Sequence, residues 1–256
     1  MADKYPIIFL QEHWLFGFET SFLYGIFSNG AYQVKCVDDM DAIPPVQPPR
    51  GKAGTCILWH VKLNHCMKNL QDGSDRICVV EMKSSGILSC LINVYMPARG
   101  SAESETQFMG ALDELHEILE KYSGTHRILL GGDFNASLHR TPPVARDRAL
   151  RSFMDEHGLC ISTSYPVRPT FYHASSTARS QIDYWLVSAD GGNADVIATD
   201  PNNLNLSDHC EVILTVNMHA DDHEGPRPGD TSQRITTEND QQPRGRINWA
   251  KADTQL

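Results

Sequence analysis

Eight short runs of β-type residues punctuate the chain, at Ile7–Leu10, Tyr32–Val37, Thr55–His60, Ile77–Met82, Ile87–Tyr95, Arg127–Leu130, Ile182–Val187 and Val212–Val216, with turn residues between them. Strands this short gain little alone, so they must pair into at least one large sheet whose faces are then buried. Two stretches break the pattern with helical spacing. Phe108, Leu112, Leu115, Leu119 and Tyr122 recur at intervals of four and three, Ser104 with Gln107 offers a capping box, and Gly124 ends the period. A second helix is expected from about Arg146 to His157, burying Leu150, Phe153 and Met154 and stopping at Gly158. Pro44, Pro45, Pro48 and Pro49 mark a rigid extended loop before the strand at Thr55. Many strands and few helices in this order predict a mixed α/β protein dominated by packed sheets.

With 256 residues the chain is long enough to bury a large core without staples. The seven cysteines, Cys36, Cys56, Cys66, Cys78, Cys90, Cys160 and Cys210, are odd in number, spread out and without a CxxC pair. They predict reduced core thiols of an intracellular protein rather than a disulfide frame or a zinc site. No run approaches the roughly 18 apolar residues of a membrane span, and no secretory signal is visible, so no membrane association is expected. The net charge of −10 argues against gripping nucleic acid through bulk positive potential, but it does not exclude a metal-dependent enzyme whose active site must itself be acidic.

From His219 onward the last 38 residues are Gly, Pro, Gln, Asp, Thr and Arg, with Ile235, Ile247 and Trp249 almost alone as apolar residues. Such a stretch cannot bury enough surface to order itself. The expected division is one domain over residues 1–218 and a disordered polar tail over 219–256.

Chemistry concentrates where strands give way to loops. Leu10-Gln11-Glu12-His13-Trp14 puts a carboxylate at a strand end, a sensible ligand for Mg²⁺, although an ordinary surface Glu has the same look. Asn93-Val94-Tyr95-Met96-Pro97 ends a strand on a tyrosine whose hydroxyl can donate to a phosphate oxygen or simply lie at the core edge. In Leu129-Leu130-Gly131-Gly132-Asp133-Phe134-Asn135-Ala136 two glycines admit a ligand or another backbone, and Asp133 with Asn135 can share a face and orient a water. An Asx-rich turn is the plain alternative. Pro169-Thr170-Phe171, Ser180-Gln181-Ile182-Asp183-Tyr184-Trp185 and Leu206-Ser207-Asp208-His209 complete the set. There Asp208 and His209 place a carboxylate beside an imidazole, and Asp183 can fix that ring's tautomer. His60, His116 and His173 read as structural or surface residues.

Taken together and in this order, the segments from Ile7 to Val216 resemble the endonuclease/exonuclease/phosphatase superfamily, which includes apurinic endonucleases and pancreatic-type deoxyribonucleases. The best likeness within it is the endonuclease domain of non-LTR retrotransposons. The motifs that carry it are Leu10-Gln11-Glu12, Tyr95-Met96-Pro97, Gly132-Asp133-Phe134-Asn135, Pro169-Thr170-Phe171, Ser180-Gln181-Ile182-Asp183-Tyr184 and Leu206-Ser207-Asp208-His209. Gly245-Arg246-Ile247-Asn248-Trp249 looks like the linker that precedes a reverse transcriptase in such elements.

The resemblance implies a four-layer α/β sandwich of DNase-I-like type, two mixed sheets face to face with helices outside. It implies a DNA partner and Mg²⁺, with Mn²⁺ as a substitute, in a protein that would work in the nucleus; no protein partner reads from the chain. Carried over by motif, Glu12 and Asp208 would serve the metal, and Tyr95 and Asn135 would contact the scissile phosphate. Asp133 would position or deprotonate the water, His209 oriented by Asp183 would act as base or stabilise the transition state, and Thr170 and Ser207 would support them. The family opens on a strand bearing an Asn that serves the site. Here the chain starts almost at the following strand, so the expectation is a sheet short of one strand and a marginal domain. The leading functional reading is a Mg²⁺-dependent DNA endonuclease of retroelement origin leaving a 3′ hydroxyl. The alternatives are another phosphodiesterase or phosphatase of the superfamily, acting on abasic sites, RNA, inositol phosphates or lipid headgroups, and an inactive remnant that binds.

Overall fold

The computed structural model describes residues 5–26, 29–39, 51–173, 177–188, 194–199, 205, 207–216 and the backbone of 246–251. Fourteen strands occur among them: β1 Ile7–Gln11, β2 Gly30–Lys35, β3 Thr55–His60, β4 Met67–Asn69, β5 Ile77–Ser84, β6 Ile87–Tyr95, β7 Arg127–Asp133, β8 Leu159–Cys160, β9 Phe171–Tyr172, β10 Arg179–Ser180, β11 Asp183–Ser188, β12 Ala194–Ala198, β13 Val212–Val216 and β14 Arg246–Lys251. The helices are α1 Phe22–Ile26, α2 Ser104–Tyr122 and α3 Ala145–Glu156. One six-stranded sheet runs β12-β13-β14-β1-β3-β2, the other β4-β5-β6-β7-β11-β8, and β9 with β10 form a small hairpin.

Alternation along the strands builds the layers. Ile7 and Phe9 of β1 and Ile57 and Trp59 of β3 enter the large core shared with the second sheet. The intervening Ile8, Leu10, Cys56 and Leu58 pack outward with Leu23 of α1. Phe108, Leu112, Leu115 and Leu119 of α2 and Leu150 and Phe153 of α3 join the large core as the outer layer of the second sheet. The result is the expected four-layer sandwich. Phe9 and Trp185, with ring centroids 4.7 Å apart, hold its two sheets together. Asn93 of β6 adds a polar tie, donating to the carbonyls of Leu10 at 2.8 Å and Cys56 at 2.9 Å. The seven thiols are free, as expected, although Cys160 is exposed.

The two glycines before Asp133 make room for protein rather than for a ligand. A Cβ on Gly131 would lie 2.5 Å from the Trp185 ring, and one on Gly132, whose φ is +148°, would lie 1.9 Å from the Val94 carbonyl. Close strand packing at this point is what brings the ends of β6 and β7 together.

Three expectations change. The open slot beside β1 is filled, because β14 lies between β1 and β13, parallel to the first and antiparallel to the second. Its register sets Ile247 against Ile7 and Trp249 against Phe9. Within the stretch expected to be a disordered polar tail, Arg246–Lys251 is a strand. Composition measured what the tail could bury on itself; two unpaired strand edges supply the partners it lacks. Second, Ser104 lies inside α2 and the cap position falls to Glu103 with no side-chain cap bond, so the expected capping box is not made. Third, α1 joins the two expected helices, and Met154 is only partly buried against the core.

Candidate active site

The site forms where five chain segments end at one rim of the sandwich. Strands β6 and β7 run parallel and finish level, with Tyr95 in register with Asp133. β11 begins opposite them, so Asp183 pairs with Asp133 across the antiparallel ladder. β1 delivers Glu12 one residue beyond its end, and a bridge between Phe171 and His209 brings in the loop ahead of β13.

Glu12 and Asn135 both hold left-handed backbone, with φ of +53° and +46°. Asn tolerates this region, whereas for Glu it costs about 1–2 kcal/mol, strain of the kind that gathers at working sites.

His209 is the most constrained side chain. Its Nδ1 lies 2.9 Å and 3.0 Å from the two oxygens of Asp183, and both residues are buried. The Asp183 backbone is itself held, since the amides of Ile182 and Asp183 donate to Thr170 Oγ1 at 3.2 Å and 3.3 Å. Ser207 Oγ accepts from the His209 amide at 3.1 Å, and the Phe171 ring lies 4.8 Å from the imidazole. On the other edge of the ring, Nε2 is 3.8 Å from Asp208 Oδ1.

Asp133 is held as tightly. Its Oδ1 accepts from the Asn135 backbone amide at 2.9 Å, and its Oδ2 from Asn135 Nδ2 at 3.1 Å. Asn135 Nδ2 also donates to the Met96 carbonyl at 2.8 Å. Two acceptors facing the amide nitrogen fix its orientation, because a flipped amide would set oxygen against oxygen. Both amide hydrogens are thereby used within the fold, so in this arrangement Asn135 positions Asp133.

Tyr95 lies beside Glu12 and hydrogen-bonds to it. Burial first, then the Glu12 charge, push its phenol well above the ordinary value, so it stays a proton donor. The next residue after Glu12, His13, is buried under Gly54 with its pKa pushed down to about 4 by desolvation. Its ring accepts from the Leu15 amide at 3.0 Å and pairs with the Lys35 carbonyl at 3.1 Å.

Glu12, Asp133, Asn135, Asp208 and His209 line one cleft of about 270 Å³ together with Arg99, Arg140, Phe171 and Ser180. Asp183, Thr170 and Ser207 stand behind that wall, and Tyr95 reaches it through Glu12. Of the nine residues singled out from sequence, the fold gathers all into this region. Two arginines were missed. Arg99 follows Tyr-Met-Pro by two residues and Arg140 follows Asn135 by five, so adjacency to a motif was the available signal. A second cleft of about 260 Å³ shares Arg140 and Ser180 and adds His139, Arg168, Arg179 and Gln181.

Cation-binding potential has two readings here. Donor atoms of Asp133, Asp183 and His209 lie within 4.8 Å of one another. Both Asp183 oxygens already face one imidazole nitrogen, so that trio reads as a hydrogen-bonded relay. Glu12, Asp133, Asn135 and Asp208 line the cleft, and side chains that offer oxygen donors fit a hard divalent cation.

A two-sheet sandwich with an acidic, imidazole-bearing cleft at its strand ends is the DNase-I-like class of fold. Residues 89–213 match the family described as endonuclease-reverse transcriptase. That match covers about half of the chain, from β6 to the start of β13, and the fold as a whole is that of the endonuclease/exonuclease/phosphatase structures it resembles. Among solved structures it is similar to the endonuclease domain of TRAS1, a telomere-specific non-LTR retrotransposon, at 17% identity over 85% of this chain and 89% of that one, with TM-score 0.60. An AP endonuclease from Archaeoglobus fulgidus is 16% identical over 84% and 90%, with TM-score 0.60. The 3′ phosphatase NExo from Neisseria, bound to product DNA hairpin, is 16% identical over 83% and 89%, with TM-score 0.57. No curated protein matches the sequence significantly. Among the described residues no helix is long and apolar enough to cross a membrane.

Proposed function

We propose that this chain is a divalent-metal-dependent endonuclease that hydrolyses phosphodiester bonds in DNA and leaves a 3′ hydroxyl, in the manner of a retroelement nuclease. The observation that carries the reading is the buried Asp183–His209 pair facing the same cleft as Asp133, with arginines at its rim. Glu12 and Asp208 would hold Mg²⁺, which when bound supplies positive charge to the equatorial and leaving oxygens.

The chain's own groups do the rest. Asp183 accepts the Nδ1 proton of His209 and so fixes one tautomer, leaving Nε2 toward the cleft. In that tautomer Nε2 takes a proton from water; when protonated it donates to the growing phosphorane charge. Asp133, held through both oxygens by Asn135, aims its remaining lone pairs at an attacking water. Tyr95 fixes the Glu12 carboxylate. Arg99 and Arg140 offset phosphate charge, and the adjoining cleft with Arg168 and Arg179 gives the strand a local basic path on a chain of net charge −10.

The likeness to the Neisseria 3′ phosphatase and the AP endonuclease favours a second reading, action at DNA ends or abasic sites. End chemistry separates the two. Supercoiled plasmid treated with the protein and Mg²⁺ is expected to yield open circles that a polymerase extends without prior phosphatase treatment. Turnover confined to 3′-phosphate ends or abasic duplexes, with intact plasmid untouched, would replace the first reading by the second.

A further inference from the structure

A cluster of metal-binding side chains lies on the outer helical layer, and none of its members lines the clefts described above. His116 projects from α2 toward the end of α3, where Glu156 and His157 follow one another. His116 Nδ1 lies 2.9 Å from His157 Nε2 and 3.6 Å from Glu156 Oε1. The three ligand atoms lie within 4.8 Å of one another. Around a tetrahedral Zn²⁺ with bonds of about 2.0–2.1 Å, ligand atoms stand roughly 3.4 Å apart, so modest side-chain movement closes the set around an ion.

A fourth residue makes the arrangement specific. Glu120, one turn beyond His116, places Oε1 3.3 Å from His116 Nε2. A carboxylate there accepts the Nε2 proton and leaves the Nδ1 lone pair turned toward His157 and Glu156. This is how a carboxylate orients a ligating imidazole. Two imidazoles and one carboxylate are a borderline donor set, which favours Zn²⁺ over Mg²⁺. His116 and Glu156 are accessible, with side-chain exposures of 37% and 60%, so an ion can enter and water can complete its coordination.

We propose that His116, Glu156 and His157, with Glu120 behind His116, form a Zn²⁺ site that staples α2 to α3 in the outer helical layer, apart from the residues that line the nuclease cleft. The proposal is independent of the nuclease reading. The test is Zn²⁺ titration of the full chain by calorimetry, with and without millimolar Mg²⁺ as a competitor for any oxygen-donor site, paired with thermal melts and the visible spectrum of bound Co²⁺. One equivalent of Zn²⁺ should bind and raise the melting temperature. His116→Ala and His157→Ala should each lose that equivalent, the stabilisation and the Co²⁺ bands. Glu120→Gln should keep the stoichiometry and weaken binding about 10- to 100-fold. Absence of binding in the unaltered chain overturns the site, as does Zn²⁺ affinity that the His116→Ala/His157→Ala double variant leaves unchanged.

Discussion

His209 Nδ1 sits 2.9 Å from Oδ2 and 3.0 Å from Oδ1 of Asp183, a residue 26 positions earlier, so one ring nitrogen is clamped by a whole carboxylate. Neither residue is usefully open to water on that side, and Thr170 and Ser207 fix the backbones that carry them. Asp183→Asn preserves shape but offers an amide where the ring needs an acceptor, which selects the wrong tautomer. Nicking should fall about 10³- to 10⁴-fold with little change in KM or in melting temperature. Unchanged turnover in Asp183→Asn would remove the pair from the chemistry.

The burial of His13 sets a pH limit on stability. Its folded pKa is pushed down to about 4 from an ordinary 6.5, with desolvation as the main cause. On acidification the unfolded chain takes up this proton near the ordinary value, while the folded chain resists until near the depressed one. His13's contribution is therefore complete above that ordinary value and is lost as pH falls toward the folded pKa, about 3 kcal/mol across the window. Urea melts at neutral pH and near pH 5 measure it. His13→Gln should flatten the dependence, and an equally steep loss in that variant would assign it elsewhere.

β14 makes a prediction about the tail. Its backbone pairs with β1 on one side and β13 on the other, so removal of residues 219–256 leaves two inner strand edges unpaired. Each buried group left without a partner costs about 1–3 kcal/mol against a total of about 5–15. The shortened chain should melt markedly lower and exchange its β1 and β13 amides faster. An unaltered melt would mean that this strand contributes nothing to the sheet.

For DNA affinity the arginines beside the cleft should act as phosphate contacts. Arg140→Ala, Arg168→Ala and Arg179→Ala should each lower the slope of log K against log salt by about one and weaken binding to all sequences alike. Turnover at saturating DNA should change little for Arg168 and Arg179. A salt slope that none of the three alters would move the DNA path to another face.

Much of this architecture was legible because local signals and global packing agree. The eight sequence runs are strands, the Phe108–Tyr122 spacing is α2, and Gly158, with φ of +60°, stops α3. Residues at strand ends could be named because each sits in an ordered set of motifs. What remained hidden depends on partners distant in sequence. β8, β9 and β10 are two residues long and exist only as pairing. β14 exists only because β1 and β13 flank it. The bond from Asn135 Nδ2 to the Met96 carbonyl, 39 positions away, could not be read from either motif alone. His116 and His157 are 41 positions apart, and only the packing of α2 on α3 makes them neighbours.

The central claim, that this cleft cuts DNA through a metal and the Asp133–His209 machinery, is tested most directly by relaxation of supercoiled plasmid in Mg²⁺ and in EDTA. The unaltered chain should nick only when Mg²⁺ or Mn²⁺ is present. Asp133→Ala, Asp208→Ala and His209→Ala should each lose about 10²-fold or more while melting as folded domains, since each removes a charge or proton-handling group from the transition state. Nicking that survives EDTA, or full activity in all three variants, would contradict the account.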